Sequence, residues 1–287
     1  MSDGLILGFL HGLIYLVSAW VVGFVIFERW IRPRSGVFRP RLFLSLTVLG
    51  LLLALTWAVV TGHDMAESWE VSDLLGVVST GFGHIWCFEI LIWAILVFSA
   101  VIPKCNSFRV LAVLIPLPFT LTGHAGSEGD STLINTVLDG FHFLSVGVWT
   151  GGLASLWLWL RTYSFGGALK ESLAYPTVQR FSHFAQVSTG IIGITGLILA
   201  YRYGLRLNSL PTSDYGKLVV AKFVLFGTAL AAAGINQFIH LRKWKKESDL
   251  QFARAISREV SLEIFLVTLV IFIAGFLSRS TPPMSMH

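Results

Sequence analysis

Long uninterrupted apolar stretches constrain this sequence more than any other feature. They run for about 20 residues or more between short breaks rich in charge, glycine or proline. A helix needs about 20 apolar residues to cross a bilayer, whereas the strands of a membrane barrel need about ten and alternate in polarity. Within the bilayer every backbone N–H and C=O must be paired inside the protein, which a helix achieves by itself. The pattern predicts an all-α, polytopic membrane protein.

The composition excludes a soluble domain. Of 287 residues, 54% are hydrophobic and 13% are charged, and the mean hydropathy is +0.73. Soluble domains carry about 25% charged residues, so this chain could not cover a water-facing surface. The net charge of +5 is compatible with nucleic-acid binding, but the positions of the charges indicate membrane topology instead. Two cysteines, Cys87 and Cys105, provide no disulfide framework.

Apolar runs between the breaks predict eight spans in a single transmembrane domain, 1–287. The fourth is the shortest and contains Pro116 and Pro118, which predict a bend toward its outer end. The acidic start and the length of the first span do not fit a cleaved signal peptide. The predicted spans are about 4–27, 42–62, 73–99, 107–122, 134–160, 182–202, 217–239 and 259–278.

Basic residues predict the orientation of these spans. The connections after spans one, three, five and seven hold sixteen of the 21 lysines and arginines, so the positive-inside rule places both termini in the periplasm. The opposite loops are acidic, for example at Asp64, Glu67 and Glu128, and would attract a cation. Solvation of the loops is an equally compatible explanation of these acids.

Four histidines gather toward the outer ends of separate spans. His63 and His124 lie at the ends of spans two and four, each in a Thr-Gly-His triplet. His11 in span one and His142 in span five lie roughly 10–12 Å below the outer surface at 1.5 Å per residue. Imidazoles are good copper ligands, and polar groups inside a membrane usually face a cavity or a partner. Ordinary helix ends with an interfacial histidine would also explain the two boundary positions.

Further polar residues extend this candidate metal set. Asp139 lies three residues before His142, on the same helical face, where a carboxylate could hold the second ring nitrogen of a metal-bound histidine. His84, near the middle of span three, and Cys87 form a possible nitrogen–sulfur pair, and Met65 follows His63 closely. The remaining intramembrane polar groups favour a structural role, with Lys222 and Glu263 neutralising each other between helices; these groups are Glu89, Lys222, Asn236 and Glu263.

Two other classes of function stay open at this point. Histidines from different helices at similar depth also hold haem in membrane b-type cytochromes, and His11 with His142 could form such a pair. A structural membrane subunit with packing histidines is the third class. The sequence does not favour a hydrolytic enzyme, because no helix carries two histidines at i and i+4 with a glutamate between them.

Residues 140–153 contain a histidine, a tryptophan seven residues later and then Gly-Gly-Leu, at His142, Trp149 and Gly151. This motif resembles the signature of the copper resistance protein D family. The resemblance covers nearly the whole chain and is strongest over 120–278. Supporting similarities lie at 180–182, at 214–217 with Lys222, at Glu263, at His11 and at 123–125.

The resemblance implies copper handling in the bacterial inner membrane rather than an enzyme, with copper received from the periplasm and carried inward. It implies functional roles for His11, His124 and His142. His63 and the His84–Cys87 pair fall outside the family pattern and rest on the physical argument. We expect Cu(I) or Cu(II) to pass along a ladder of ligands, or to be held at a static site. Some relatives carry a fused periplasmic copper domain, so a soluble periplasmic copper-binding protein is the expected partner here.

Overall fold

The computed structural model describes residues 2–32, 40–67, 69–122, 132–166, 171–203, 214–237 and 250–278. These residues are almost entirely helical and contain no strand, which confirms the predicted fold class. Helix α1 continues into a π-helical turn, Phe27–Ile31, and a 3₁₀ segment, Pro103–Leu114, precedes α5. The helices are α1 Ser2–Ile26, α2 Pro40–Ala66, α3 Val71–Val78, α4 Gly81–Val101, α5 Pro116–Thr122, α6 Thr132–Gly166, α7 Glu171–Arg202, α8 Asp214–Ile235 and α9 Leu250–Leu277.

Eight helical stretches among the described residues are long and apolar enough to cross a membrane, as the sequence predicts. Their bounds are Gly4–Ile31, Pro40–Ala66, Gly81–Val101, Pro103–Thr122, Leu133–Arg161, Tyr175–Arg202, Tyr215–Ile235 and Ile256–Leu277. We call the end of the bundle at which α1 begins and α9 ends the outer end. The charge distribution predicts that this end faces the periplasm.

The third span begins later than predicted. Residues 71–78 form the separate short helix α3, and α4 begins at Gly81. Thr80 causes the break, because its side chain accepts a hydrogen bond from the Gly83 backbone N–H at 3.2 Å and caps the new helix. His84 therefore lies in the first turn of α4, at the outer end, and the prediction that it lies near the middle of the membrane is wrong.

The fourth span changes its helix type where the two prolines lie. It begins at Pro103, earlier than predicted, and runs as a 3₁₀ helix to Leu114. After Ile115 it continues as α5, with Pro116 at its first position. Proline suits the start of a helix because its missing N–H would have no partner there. The predicted bend toward the outer end of this span stays a prediction, because the non-helical backbone angles recorded in the 3₁₀ segment are at Cys105, near its inner end.

Helices α1 and α6 form the centre of the bundle and are its most buried spans. They cross most closely at Gly23, which has no Cβ. A Cβ there would collide with backbone atoms of Gly147, Gly151 and Gly152. Small residues at such crossings let helices pack backbone to backbone within a membrane. Helix α2 packs on α1, α5 packs on α6, and α9 packs on both central helices. Around them, α4 packs on α2 and the 3₁₀ segment, α7 on α6, and α8 on α9. The consecutive helices α7 and α8 thus pack mainly on α6 and on α9 respectively, and not on each other.

Candidate functional site

A cavity of about 500 Å³ opens between the central helices and their neighbours. Its lining follows α1 from His11 to Val22, which corresponds to roughly 16 Å along the helix axis at 1.5 Å per residue. Most of its wall is apolar and aromatic. The cavity brings together several charged residues and possible metal ligands, namely His11, Asp64, Met65, Glu89, Asp139, His142 and Lys222.

His142 lies on α6 and is 8% exposed. Its Nδ1 is 2.9 Å from the Thr195 hydroxyl of α7. That hydroxyl in turn lies 2.6 Å from the backbone carbonyl of Ile191, to which it donates. Gly196 makes room for the ring, since a Cβ there would lie 3.3 Å from Cε1 of His142. The histidine is thereby wedged between two helices at the cavity wall.

His11 lies on α1 and is held from the outer end of α9. Its Nδ1 is 2.7 Å from the Ser278 hydroxyl, which donates to the Gly275 carbonyl at 2.8 Å. The imidazole stacks on Trp57 with ring centroids 4.3 Å apart and lies 4.4 Å from the ring of Tyr15. Three helices therefore contribute to the surroundings of this one side chain.

Asp139 and Lys222 line the cavity beside His142. The charge of Lys222 acts on both Asp139 and His142. Asp139 does not hydrogen-bond the ring of His142. Thr195, and not the expected carboxylate, contacts Nδ1 of this histidine.

The expected pairing of Lys222 with Glu263 is also wrong. Glu263 instead accepts a hydrogen bond from Asn236, just after the end of α8, at 3.3 Å. Lys222, in the middle of α8, lines the cavity.

Buried polar atoms without a protein hydrogen-bond partner line the cavity at the level of its histidines and below them. These are Oγ of Ser18, Oε1 of Glu89 and Oγ1 of Thr150, on residues that are 4%, 5% and 1% exposed. All three residues line the cavity. Leaving a buried polar atom unsatisfied costs about 1–3 kcal/mol, so such atoms mark places where water or an ion is accommodated. The cavity is polar well below the level of its histidines.

The remaining predicted ligands lie away from this centre. His63 stacks on Trp69 with centroids 3.8 Å apart near the cavity mouth, where the neighbouring Asp64 and Met65 do line the cavity. His84 and Cys87 are exposed on the lipid-facing side of α4 and do not belong to the described lining. His124 lies outside the described residues.

The described part of the chain contains no group of three or more histidine, cysteine, aspartate or glutamate side chains arranged to hold one metal ion. His11 and His142 therefore line one cavity without forming a closed cage around a single point.

Sequence reasoning missed the groups that hold the two histidines. Thr195 and Ser278 are distant from His142 and His11 in the sequence, and isolated hydroxyl residues in membrane helices are common. Ser18 and Thr150 were missed for the same reason. Ser18 lies seven residues after His11, and Thr150 lies eight residues after His142, so each pair lies on one helical face. This spacing could have indicated from the sequence that both hydroxyl residues line the same cavity as the histidines.

The fold and the cavity define a class: a polytopic helical membrane protein with a buried histidine, His142, and a half-buried one, His11, in a partly polar intramembrane cavity. Two family profiles match this chain, the copper resistance protein D-like N-terminal domain over residues 1–133 and copper resistance protein D over residues 175–277. The chain belongs to the copper resistance protein D family and is a multi-pass protein of the bacterial inner membrane. The matched family is described by copper resistance and transport, which is consistent with the expectation that it is not an enzyme.

Three relatives extend this assignment. Copper transport protein CutJ of Bacillus subtilis (strain 168) is 28% identical over 95% of this chain, which spans about half (52%) of the CutJ length. Copper resistance protein D of Pseudomonas syringae pv. tomato is 27% identical, with 88% of this chain and 87% of the relative covered. Inner membrane protein YebZ of Escherichia coli (strain K12) is 25% identical, with 80% and 82% covered. No solved structure matches the chain. Nothing in these matches supports the haem alternative.

Proposed function

We propose that this protein binds copper at His11 and His142 and carries it from the periplasm toward the cytoplasm. The observation that supports the proposal best is the presence of both histidines, from the two central helices, in one cavity that also contains carboxylates. Imidazole nitrogen binds copper in either common oxidation state. Carboxylates in a low-dielectric cavity attract a cation more strongly than they would in water.

The proposed path begins at the outer end of the cavity. Asp64 and Met65 line its mouth, and His63 lies beside them. His124 follows the end of α5 in the sequence and is proposed as a further entry ligand on the family resemblance. Copper arriving from a soluble periplasmic copper-binding protein would first meet this group of oxygen, sulfur and nitrogen donors.

Below the mouth, copper would pass to His11 and His142, with Glu89 at about their depth, and then to the unpartnered hydroxyl oxygens of Ser18 and Thr150. This replaces the deeper step first expected at His84 and Cys87, because those two side chains are exposed on α4 rather than directed into the cavity. Oxygen donors hold copper more weakly than imidazole does, since copper prefers softer ligands. Weak deep ligands favour onward movement over storage.

Replacement of the two central ligands tests this proposal. In the purified protein in lipid nanodiscs, we expect His11→Ala and His142→Ala each to weaken copper binding by about 10-fold or more, because each removes a direct donor. Affinity is measured by competition with a chromophoric Cu(I) chelator, and in a parallel titration with Cu(II). Uptake of radioactive copper into proteoliposomes separates transport from static binding.

The matched control is His183→Ala. His183 is an exposed histidine on α7, and its Nδ1 lies 2.9 Å from the Gln179 carbonyl of its own helix. The control and His84→Ala should bind copper like the unaltered protein. Equal affinity in His11→Ala, His142→Ala and the controls would refute the proposed site.

A further inference from the structure

The two cavity histidines are held by the same device on two different helices. In each, Nδ1 contacts a hydroxyl, and the hydroxyl contacts a backbone carbonyl of its own helix. The distances are 2.9 and 2.6 Å through Thr195 to Ile191, and 2.7 and 2.8 Å through Ser278 to Gly275. Histidine, hydroxyl and carbonyl thus form a short chain of hydrogen bonds in both cases.

Proton counting assigns the direction of each chain. A hydroxyl has one proton, and a carbonyl oxygen can only accept. If the hydroxyl gave its proton to the imidazole, its short contact with the carbonyl would join two acceptors without a proton between them. Both contacts are satisfied only when Nδ1–H donates to the hydroxyl and the hydroxyl donates to the carbonyl. A neutral imidazole with a proton on Nδ1 carries its lone pair on Nε2.

We propose that Thr195 and Ser278 are positioning residues that set His142 and His11 in this tautomer, so that each histidine binds copper through Nε2. The inference rests on the proposed copper-binding function and adds the ligating atom and the two residues that select it. A partner on the second ring nitrogen is the usual way in which proteins orient a metal-binding histidine. Neither hydroxyl is assigned a role by the family resemblance.

The choice of a hydroxyl has a consequence for the strength of binding. A carboxylate on the second nitrogen raises the basicity of the ligating nitrogen and tightens metal binding. A neutral hydroxyl orients the ring without adding a negative charge. Asp139, the carboxylate on the helix of His142, is left to interact with Lys222 instead. Such a site orients its ligands firmly and holds copper with moderate affinity, as transport requires.

The first test needs no copper. Protein labelled with ¹⁵N-histidine and reconstituted in lipid should show His11 and His142 in the Nδ1–H tautomer, each signal being assigned by its loss in the corresponding alanine variant. Thr195→Val, which keeps the side-chain size and removes the hydroxyl, should shift the His142 signal toward a mixture of tautomers. An Nε2–H tautomer at both positions in the unaltered protein would overturn the inference.

The second test measures copper affinity with a chromophoric Cu(I) chelator as competitor. Thr195→Val and Ser278→Ala should each weaken binding about 10- to 100-fold, the usual effect of removing a partner of a ligating histidine. Thr195→Ser and Ser278→Thr keep a hydroxyl and should restore most of the affinity. A purely structural role would not be rescued in this way together with the tautomer signal.

Two matched controls exist in the chain. Thr228 on α8 and Ser261 on α9 are exposed hydroxyl residues whose side chains bond to carbonyls of their own helices at 2.8 Å. Thr228→Val and Ser261→Ala should leave copper affinity unchanged. If Thr195→Val and Ser278→Ala also match the unaltered affinity, the positioning role fails while the copper function stands. If the unaltered protein binds no copper, the proposed function fails, and the tautomer measurement still decides the hydrogen-bond assignment.

Discussion

His11 and His142 share their hydrogen-bonding device but differ in the neighbours that a bound ion would meet. His11 is surrounded by aromatic rings, with Trp57 stacked on it and Tyr15 beside it. Aromatic faces attract cations, so they add to the attraction of the imidazole. His142 lies near one positive and one negative group, Lys222 and Asp139, whose effects on a copper ion oppose each other. Under the proposed copper function, we therefore expect capture to depend more on His11 and release to depend more on His142.

Gly196 offers a prediction at the scale of one residue. A Cβ there would lie 3.3 Å from Cε1 of His142, so Gly196→Val should press on the ring and displace it from Thr195. We expect copper affinity to fall by about 10-fold, as for loss of an orienting partner. Overpacking should also lower the free energy of unfolding by about 1–3 kcal/mol.

Chelator competition and thermal unfolding in detergent measure the two effects of Gly196→Val. The control is Gly190→Val on the same helix, where an added Cβ meets no atom within 4 Å. Unchanged copper affinity in Gly196→Val would show that the ring tolerates the contact.

At the scale of helices, the site depends on the close crossing of α1 and α6, because these two helices carry His11 and His142. Gly23 lies against the backbone around Gly151, which brings the helix axes together below the cavity. A second close approach joins α1 to α9, where a Cβ on Gly275 would collide with backbone atoms of Gly12 and Gly8. That contact keeps Ser278, three residues beyond Gly275, within reach of His11.

Gly23→Ala tests the crossing of α1 and α6. The added methyl would meet backbone atoms, which cannot move aside like a flexible side chain, so the helices must separate. We expect a loss of about 1–3 kcal/mol in the free energy of unfolding, typical of overpacking. Thermal or denaturant unfolding in detergent measures the loss.

Gly227→Ala on α8 is the control for this substitution, because a Cβ there meets nothing within 4 Å. It should leave stability unchanged or raise it slightly, since alanine is the better helix former. Similar unfolding of the two variants would argue against a tight crossing at Gly23.

At the scale of the whole molecule, function depends on which end of the bundle faces the periplasm. The cavity has its histidines toward the outer end, and the acidic Asp64 lies at its mouth. The sequence predicts that sixteen of the 21 lysines and arginines lie in or beside the connections at the opposite end. The positive-inside rule therefore predicts that the cavity mouth faces the periplasm.

Cysteine labelling tests this orientation. In a Cys87→Ser background, the native Cys105 lies near the predicted cytoplasmic end, and Ser72→Cys would place a thiol on the exposed helix α3 at the outer end. In intact spheroplasts, a membrane-impermeant maleimide should label the cysteine at position 72, and should label Cys105 only after lysis. The reverse pattern would invert the topology and, with it, the proposed direction of copper movement.

The sequence by itself determined that the chain lies in a membrane, that it is all-helical and that it has eight spans. The reason is that the length of an apolar segment and the charges beside it are local properties, and they decide whether that segment crosses a bilayer. It also indicated His11 and His142, since polar residues are rare in such segments. Only the tertiary structure decided that these two share a cavity with Glu89 and Lys222, that His84 and Cys87 face away from it, and that Thr195 and Ser278 hold the rings. Those contacts join residues 53 and 267 positions apart. Their existence depends on how α1 and α6 cross and which neighbours they bring near, and no local pattern encodes that geometry.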